Sequence, residues 1–308
     1  MNPIRLAIVG LGKIARDQHL PAIAKTAGIE LVAIASRNAA LDGVAHFATL
    51  EEMLASGTPI DAVALCTPPQ VRRAQAQAAL EAGKHVLLEK PPGATVSEIG
   101  PLVAAAQASG RTLFATWHSR FAPAVEPARA FLAACALRSV TIIWKEDVRV
   151  WHPGQDWIFE PGGLGVFDPA INALSILTRI LPRPVFVTSA HLAFPANRDA
   201  PIAAELDLAD AGGLPIRAEL DFLQTGPQSW DIAIETDRGT LTLSAGGAKL
   251  FHDDAPLIDA KEAEYAGIYR HFVELIGAGA CDVDLAPLSL VADAFLLGRR
   301  SLAAPFDY

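Results

Sequence analysis

The stretch "RLAIVGLGKIA", residues 5–15, constrains this chain more than any other. An apolar run with the look of a buried strand is followed at once by two glycines, and a helical pattern begins directly behind them. Small residues at such a turn let the backbone approach a pyrophosphate, and the free N–H groups of the helix start bind it. Gly10 and Gly12 therefore head a dinucleotide-type turn, with Ala15 where a third glycine is usual.

The same alternation continues: "LVAIAS", a helical pattern over 48–56, "DAVALCT", another over 70–83, "HVLLEK", another over 96–109, and "TLFATW". Strand and helix in turn imply right-handed βαβ units and a parallel sheet covered on both faces. After about residue 120 the pattern changes to a helix over 123–134 and strands such as "SVTIIWKEDV", "IAAELDLAD", "PIRAELDFL" and "WDIAIETD", several alternating apolar and polar residues. Helices over 261–276 and 287–302 close the chain. The expected fold class is α/β: an N-terminal doubly wound Rossmann domain, residues 1–120, and a C-terminal α/β domain, residues 121–308, with an open, mostly antiparallel sheet.

Composition narrows the partners. A formal net charge of −9, without a dense Lys/Arg block, argues against nucleic acid and anionic membranes. Cys66, Cys135 and Cys281 are odd in number, widely spaced and free of CxxC, and no HExxH occurs, so neither disulfides nor a metal is expected. No export signal follows the first Met, and nowhere do 18 apolar residues run together, so a cytoplasmic protein is expected. An exposed antiparallel sheet makes a homodimer an open possibility.

Three places carry candidate chemistry. Ser36-Arg37 ends the second strand where a site for NAD usually places an acid; a hydroxyl and a guanidinium suit a 2′-phosphate, so NADP is preferred and NAD stays open. Lys90 stands at the carboxyl end of a parallel strand, followed by Pro91-Pro92, where a lysine shielded from bulk water can take part in proton transfer. In "GGLGVFDPAINAL", residues 162–174, Asp168 precedes a proline and an apolar helix, the place of an N-cap.

"VGLGKIA", "CTPP", "GKHVLLEKPPGATVSE" and "GGLGVFDPAIN" together resemble the Gfo/Idh/MocA oxidoreductases, which act on sugars and cyclitols with NAD(P). The resemblance covers most of the chain. It implies cofactor contacts from Gly10, Gly12, Lys13, Ile14, Ser36, Arg37, Thr67, Pro68, Glu89 and Lys90. That family typically follows its second Asp, after three residues, with a catalytic His. Here Asn172 stands in that place, and a carboxamide is no general base at neutral pH. The catalytic roles then fall to Lys90 and Asp168.

"WKEDVRVWHPGQDWIF" ahead of the glycine-rich stretch further resembles the aldose 1-dehydrogenase branch acting on D-galactose, L-arabinose or D-fucose. For a pyranose, Glu146 and His152 are candidate hydroxyl partners, Trp151 and Trp230 flat apolar faces, and Asn172 and His118 further substrate contacts. The expected reaction is oxidation at C1 to the aldonolactone. The rivals are a non-catalytic NAD(P)-binding sensor on the same fold, and a sugar or cyclitol dehydrogenase acting at another carbon.

Overall fold

The computed structural model describes residues 2–261 and 263–308. The chain divides into two units: Met1–His118 with Tyr265–Asp284, and Ser119–Glu264 with Leu285–Tyr308.

In the first unit β1 (Ile4–Val9), β2 (Ile29–Ala35), β3 (Ala45–Phe47), β4 (Ala62–Leu65), β5 (His85–Leu88) and β6 (Leu113–Ala115) form one parallel sheet in the order β3-β2-β1-β4-β5-β6. Leu6, Ile8, Ile34, Val63 and Leu87 are fully buried. Such continuous apolar strands are stable only with both faces covered, and α1 (Leu20–Lys25), α2 (Leu50–Ala55), α3 (Pro69–Glu81) and α4 (Ile99–Ser109) pack on them. The strand order reverses between β1 and β4, and ligands of open α/β sheets bind outside the strand carboxyl ends at that point. The first helix does not start as a regular α-helix. A wide π-helical turn, Ala15–His19, precedes α1 and drives His19 fully into the interior.

The second unit holds α5 (Val125–Leu132), β7 (Leu137–Lys145), α6 (Val148–Trp151), α7 (Phe167–Ile180), β8 (Val185–Pro195), β9 (Ala203–Asp210), β10 (Pro215–Asp221), β11 (Ser229–Thr236), β12 (Gly239–Ser244), β13 (Lys249–His252) and β14 (Ala255–Asp259). After the returning helix α8 (Glu264–Ala278), α9 (Ala286–Leu297) and β15 (Arg299–Ala303) complete it. Its nine strands run β14-β13-β12-β11-β7-β10-β9-β8-β15, antiparallel except for β10 with β7 and β15 with β8. Helix α7 buries eleven of its fourteen residues and packs with α5 and α9 beside β7 and β11. The other face alternates outward. In β10, Ile216, Ala218 and Leu220 turn inward, while Arg217 and Glu219 pair on the open side with Glu205 and Lys145.

Several expectations change. The helix expected over 287–302 stops at Leu297 and its end becomes β15. A Cβ at Gly298 would meet the Ala294 carbonyl at 2.5 Å, so the glycine permits the tight exit into the edge strand. Strands β3, β13 and β14 were not anticipated; the last two form a hairpin whose turn, Asp253-Asp254, takes positive φ at both residues. The helix expected over 261–276 is α8, with Glu262 outside the described residues. That segment belongs to the first unit, not to a continuous 121–308 domain. Phe272 stacks on Phe114 at 6.3 Å, and Asp282 bridges the β6 backbone on both sides, accepting from Ala115 and donating to Leu113. Among the described residues no helix is long and apolar enough to cross a membrane.

Candidate active site

In the first unit the predicted cofactor residues collect at the strand carboxyl ends. Gly10 has φ +90°, and its N–H donates to Ala35 at the end of β2. A Cβ there would sit 3.0 Å from Thr67 Cγ2 and 3.1 Å from the Cys66 carbonyl carbon, so the turn needs glycine for both its angle and its closeness to β4. Gly12 faces open space. The arrangement therefore fits a pyrophosphate: a glycine-lined turn, room above it, and a helix start behind. Lys13 is exposed and paired with Asp17, and Ile14 is an exposed apolar residue at the helix head. Ser36 and the exposed Arg37 follow β2 beside this turn; Ser36 is fixed by an N–H bond to Phe47 and by His46 on its carbonyl at 2.8 Å.

Thr67 donates its hydroxyl to Gln75 at 2.6 Å, and Pro68 precedes α3. Arg72, which sequence reasoning passed over, is buried at the start of α3 and donates to the carbonyls of Thr67, Glu89 and Pro91. It thereby staples the "CTPP" loop to the "EKP" segment. Two basic residues in "QVRRA" hold the signal, but only burial tells which one turns inward. Glu89, itself buried, accepts the Lys90 N–H through Oε2 at 2.8 Å. Its Oε1 accepts from the Tyr265 hydroxyl at 2.9 Å and from His19 at 3.0 Å. Burial would raise the Glu89 pKa, but the bond to His19, with the charges of His19, His118 and Lys90, brings it to about 2. His118 lies in this unit, stacked on Tyr265 at 5.4 Å.

The second unit gathers most of the predicted substrate residues at one end of its sheet. Trp230 on β11 lies opposite Trp144 on β7 and donates its indole N–H to Glu146 Oε2 at 2.8 Å. Glu146 follows β7 and is buried. Helix α6, capped by Asp147, presents Trp151 and leads directly into His152. Trp151 meets Trp230 at 4.7 Å between ring centroids, and Trp144 stacks on the same ring at 6.1 Å. His152 lies between two carboxylates, with Nε2 3.2 Å from Glu146 Oε1 and Nδ1 3.8 Å from Asp168 Oδ2. Trp144 was missed, although it precedes Glu146 by two residues and so shares its side of the strand.

Asp168 does not cap its helix. Val166 holds the cap position, and Asp168 is the second helical residue, buried and turned toward His152. Asn172 follows one turn later on the same side of α7. Among the described residues, Glu146 Oε1, Asn172 Oδ1 and Trp144 Nε1 are buried without a hydrogen-bond partner. Buried polar atoms are normally paired, so Asn172 Oδ1 and Trp144 Nε1 left open, with Glu146 Oε1 facing only His152 at ion-pair distance, suit a hydroxyl-rich ligand.

The profile GFO_IDH_MocA, "Oxidoreductase family, NAD-binding Rossmann fold", matches residues 4–116. Over all 308 residues, and all of the relative, the chain is 50% identical to galactose 1-dehydrogenase of Pseudomonas fluorescens. The chain belongs to the Gfo/Idh/MocA oxidoreductase family. Within that family, the crystal structure of D-galactose-1-dehydrogenase from Rhizobium etli superimposes with a TM-score of 0.95 at 60% identity, covering 100% of this chain and 99% of that one. A 3-ketoreductase from Actinomadura kijaniata, 19% identical, shares the fold with a TM-score of 0.81 over 98% of this chain and all of its own. This Gfo/Idh/MocA chain thus carries an NAD(P)-binding Rossmann sheet and a second, mostly antiparallel sheet.

Proposed function

We propose that this chain oxidises a pyranose aldose of the D-galactose, L-arabinose or D-fucose type at C1 to the aldonolactone, with NADP⁺ preferred over NAD⁺. What carries this is the buried Asn172 Oδ1 without a hydrogen-bond partner, in the same unit as a buried Glu146 that faces both His152 and Trp230, in a chain 50% identical along its length to a galactose 1-dehydrogenase. The bound nicotinamide supplies the hydride acceptor, chemistry that belongs to the cofactor.

The chain's own residues bind, orient and move the proton. Glu146 and Asn172 accept from sugar hydroxyls, and the tryptophans cover the C–H face of the ring. Trp230 fixes one oxygen of Glu146 and His152 stands 3.2 Å from the other, which sets the side from which a sugar hydroxyl reaches the carboxylate. The O1 proton is assigned to Lys90 in the first unit or to Asp168 in the second, and His118 and His152 orient further hydroxyls. Gly10, Gly12, Lys13, Ile14, Thr67 and Pro68 hold the cofactor backbone and ribose, while Ser36 and Arg37 meet the 2′-phosphate.

A panel of pentoses and hexoses, assayed with each cofactor by absorbance and by product analysis, tests the reaction. Release of acid from a hydrolysing lactone is expected for the galacto-configured sugars; a ketose product, or no cofactor reduction by any aldose, rules the reading out. Arg37→Ala is expected to raise the KM for NADP⁺ by about tenfold or more, as for a lost charge-assisted phosphate contact, and to leave that for NAD⁺ nearly unchanged. An equal effect on both removes the 2′-phosphate assignment. The reading also includes a cytoplasmic homodimer formed on the open sheet face, where Arg217 and Lys145 alternate with Glu205 and Glu219.

A further inference from the structure

The second unit fastens down a segment that the proposed reaction does not use. After β15 the chain passes the turn that leaves β8; residues 304, 305, 307 and 308 are exposed there, while Phe306 is buried. Asn197, in that turn, grips the Phe306 backbone on both sides. Its Oδ1 accepts the Phe306 N–H at 2.8 Å, and its Nδ2 donates to the Phe306 carbonyl at 3.2 Å. Arg198 donates through Nε to the same carbonyl at 2.9 Å and through Nη1 to Asp156 Oδ1 at 2.8 Å. Asp156 opens a single 3₁₀ turn, Asp156–Phe159, in the loop that follows His152, so Arg198 ties the two segments together.

A chain of rings continues the connection. Phe159, at the end of that turn, is buried against Phe306 at 5.3 Å, Phe222 at 6.0 Å and Tyr308 at 6.4 Å between centroids. Phe222 in turn meets the His152 ring at 5.6 Å. The Arg149 guanidinium of α6, two residues before Trp151, lies 5.4 Å over the Phe306 ring. Phe306 therefore packs on both sides of the short segment that presents Trp151 and His152. A four-residue 3₁₀ turn is poorly held by its own hydrogen bonds. Glycines with positive φ, Gly154 and Gly162, flank it, so the position of the loop comes from these tertiary contacts.

We propose that Phe306 is a positioning residue for the sugar: it straps down the loop after His152 and thereby holds Trp151 and His152 where they meet the pyranose. This rests on the reading of Trp151 and His152 as sugar contacts. A ligand's apparent affinity falls with the fraction of molecules in which its site is assembled, and the strap raises that fraction without touching the ligand. The residues assigned to the cofactor belong to the first unit, outside the strap.

In Phe306→Ala the KM for a substrate aldose is expected to rise about tenfold, as for a loop assembled in about a tenth of the molecules. The KM for NADP⁺ is expected to stay unchanged, and kcat to change by less than about threefold. Chymotrypsin, which cuts after aromatic residues, is expected to cleave after Trp157 or Phe159 about fivefold faster or more, with fragment masses identifying the cut. Phe306→Leu refills most of the space and is expected to bring both readouts to within about threefold of the parent. A role in overall stability alone lowers the Tm and leaves the aldose KM where it was. An unmoved aldose KM or an unchanged cleavage rate in Phe306→Ala overturns the proposal. If Phe306→Ala does not fold, Asn197→Ala decides, because Asn197 is exposed and its loss frees the Phe306 backbone. The same two shifts are expected there at about threefold, and their absence overturns the strap. His152→Ala separates the two levels. An unchanged aldose KM there removes the reading of His152 as a sugar contact, whereas a raised one, with Phe306→Ala unmoved, removes only the strap. If no aldose is oxidised, the reaction has been misread, and cleavage of the loop in Phe306→Ala still decides whether Phe306 holds it.

Discussion

Lys90→Ala lowers kcat for aldose oxidation by about 10³-fold, within the range general-base catalysis supplies, while NADP⁺ binding, followed by fluorescence titration, stays measurable. The expectation rests on what the site does not contain. Asn172 stands where the family's catalytic histidine is usual, and its carboxamide does not take up a proton at neutral pH. Lys90 stands two residues beyond β5, held by Glu89 on its N–H, with Arg72 clamping the carbonyls on either side of it. A truncation at such a fixed point removes the amine and leaves the backbone where it was. A variant with kcat within a few-fold of the parent assigns the proton transfer elsewhere, with His152, between Glu146 and Asp168, the next candidate.

Gly165→Ala is expected to have the largest effect on stability, a loss of about 3 kcal/mol from a strained backbone together with a clash. At φ +56° the residue lies in the left-handed region, and a Cβ would run into the Pro201 carbonyl and come within 2.8 Å of the Pro201 nitrogen. Both obstacles are backbone and cannot rotate away. The loop is also pinned, with Gly165 N–H on Ile158 and Val166 N–H on Pro201. Calorimetry is expected to show a Tm drop of about 6 °C or more. Gly277→Ala, at a helical position with open space around it, is the control and changes little. A Gly165→Ala protein within about 1 kcal/mol of the parent contradicts the close approach. Because this loop delivers Asp168 to the first turn of α7, activity is expected to fall with stability.

Particular elements show where local sequence suffices. Apart from β3, the first sheet was legible because its strands are short apolar runs between helical patterns, a signal confined to neighbouring residues. The glycine turn was legible for the same reason, since its angle and its closeness to β4 both require residues without a side chain. Strand β15 was not legible. Its five residues, Arg299–Ala303, are mostly exposed and become a strand by pairing with β8, more than a hundred residues earlier in the chain. The hairpin of β13 and β14 escaped notice because both strands are short and β14 stands mostly exposed, although two adjacent aspartates at its turn were a usable mark.

Residue type and strand-end position singled out Lys90 in the first unit and Glu146, His152, Asp168 and Trp230 in the second as candidates, each a polar or aromatic side chain at the end or head of an element. The capping role expected of Asp168 gave way because the helix begins one residue before it, and its carboxylate turns to His152 instead. Tyr265 and Tyr269 carry no local mark that separates them from ordinary core or surface residues, and Arg72 and Trp144 carry only a weak one, a pair of basic residues in one case and a place two residues before Glu146 in the other.

By itself the sequence determined the βα alternation, the glycine-lined cofactor turn, the family and the substitution of Asn172 for the usual base, all of which are written in residues close together along the chain. Only the tertiary structure decided that Tyr265–Asp284 returns to the first unit, that His19 meets Glu89, that Glu146 faces His152 and Trp230, and that Asn172 keeps an open acceptor. Those outcomes depend on which distant groups remain to satisfy a buried polar atom, and no local pattern encodes that.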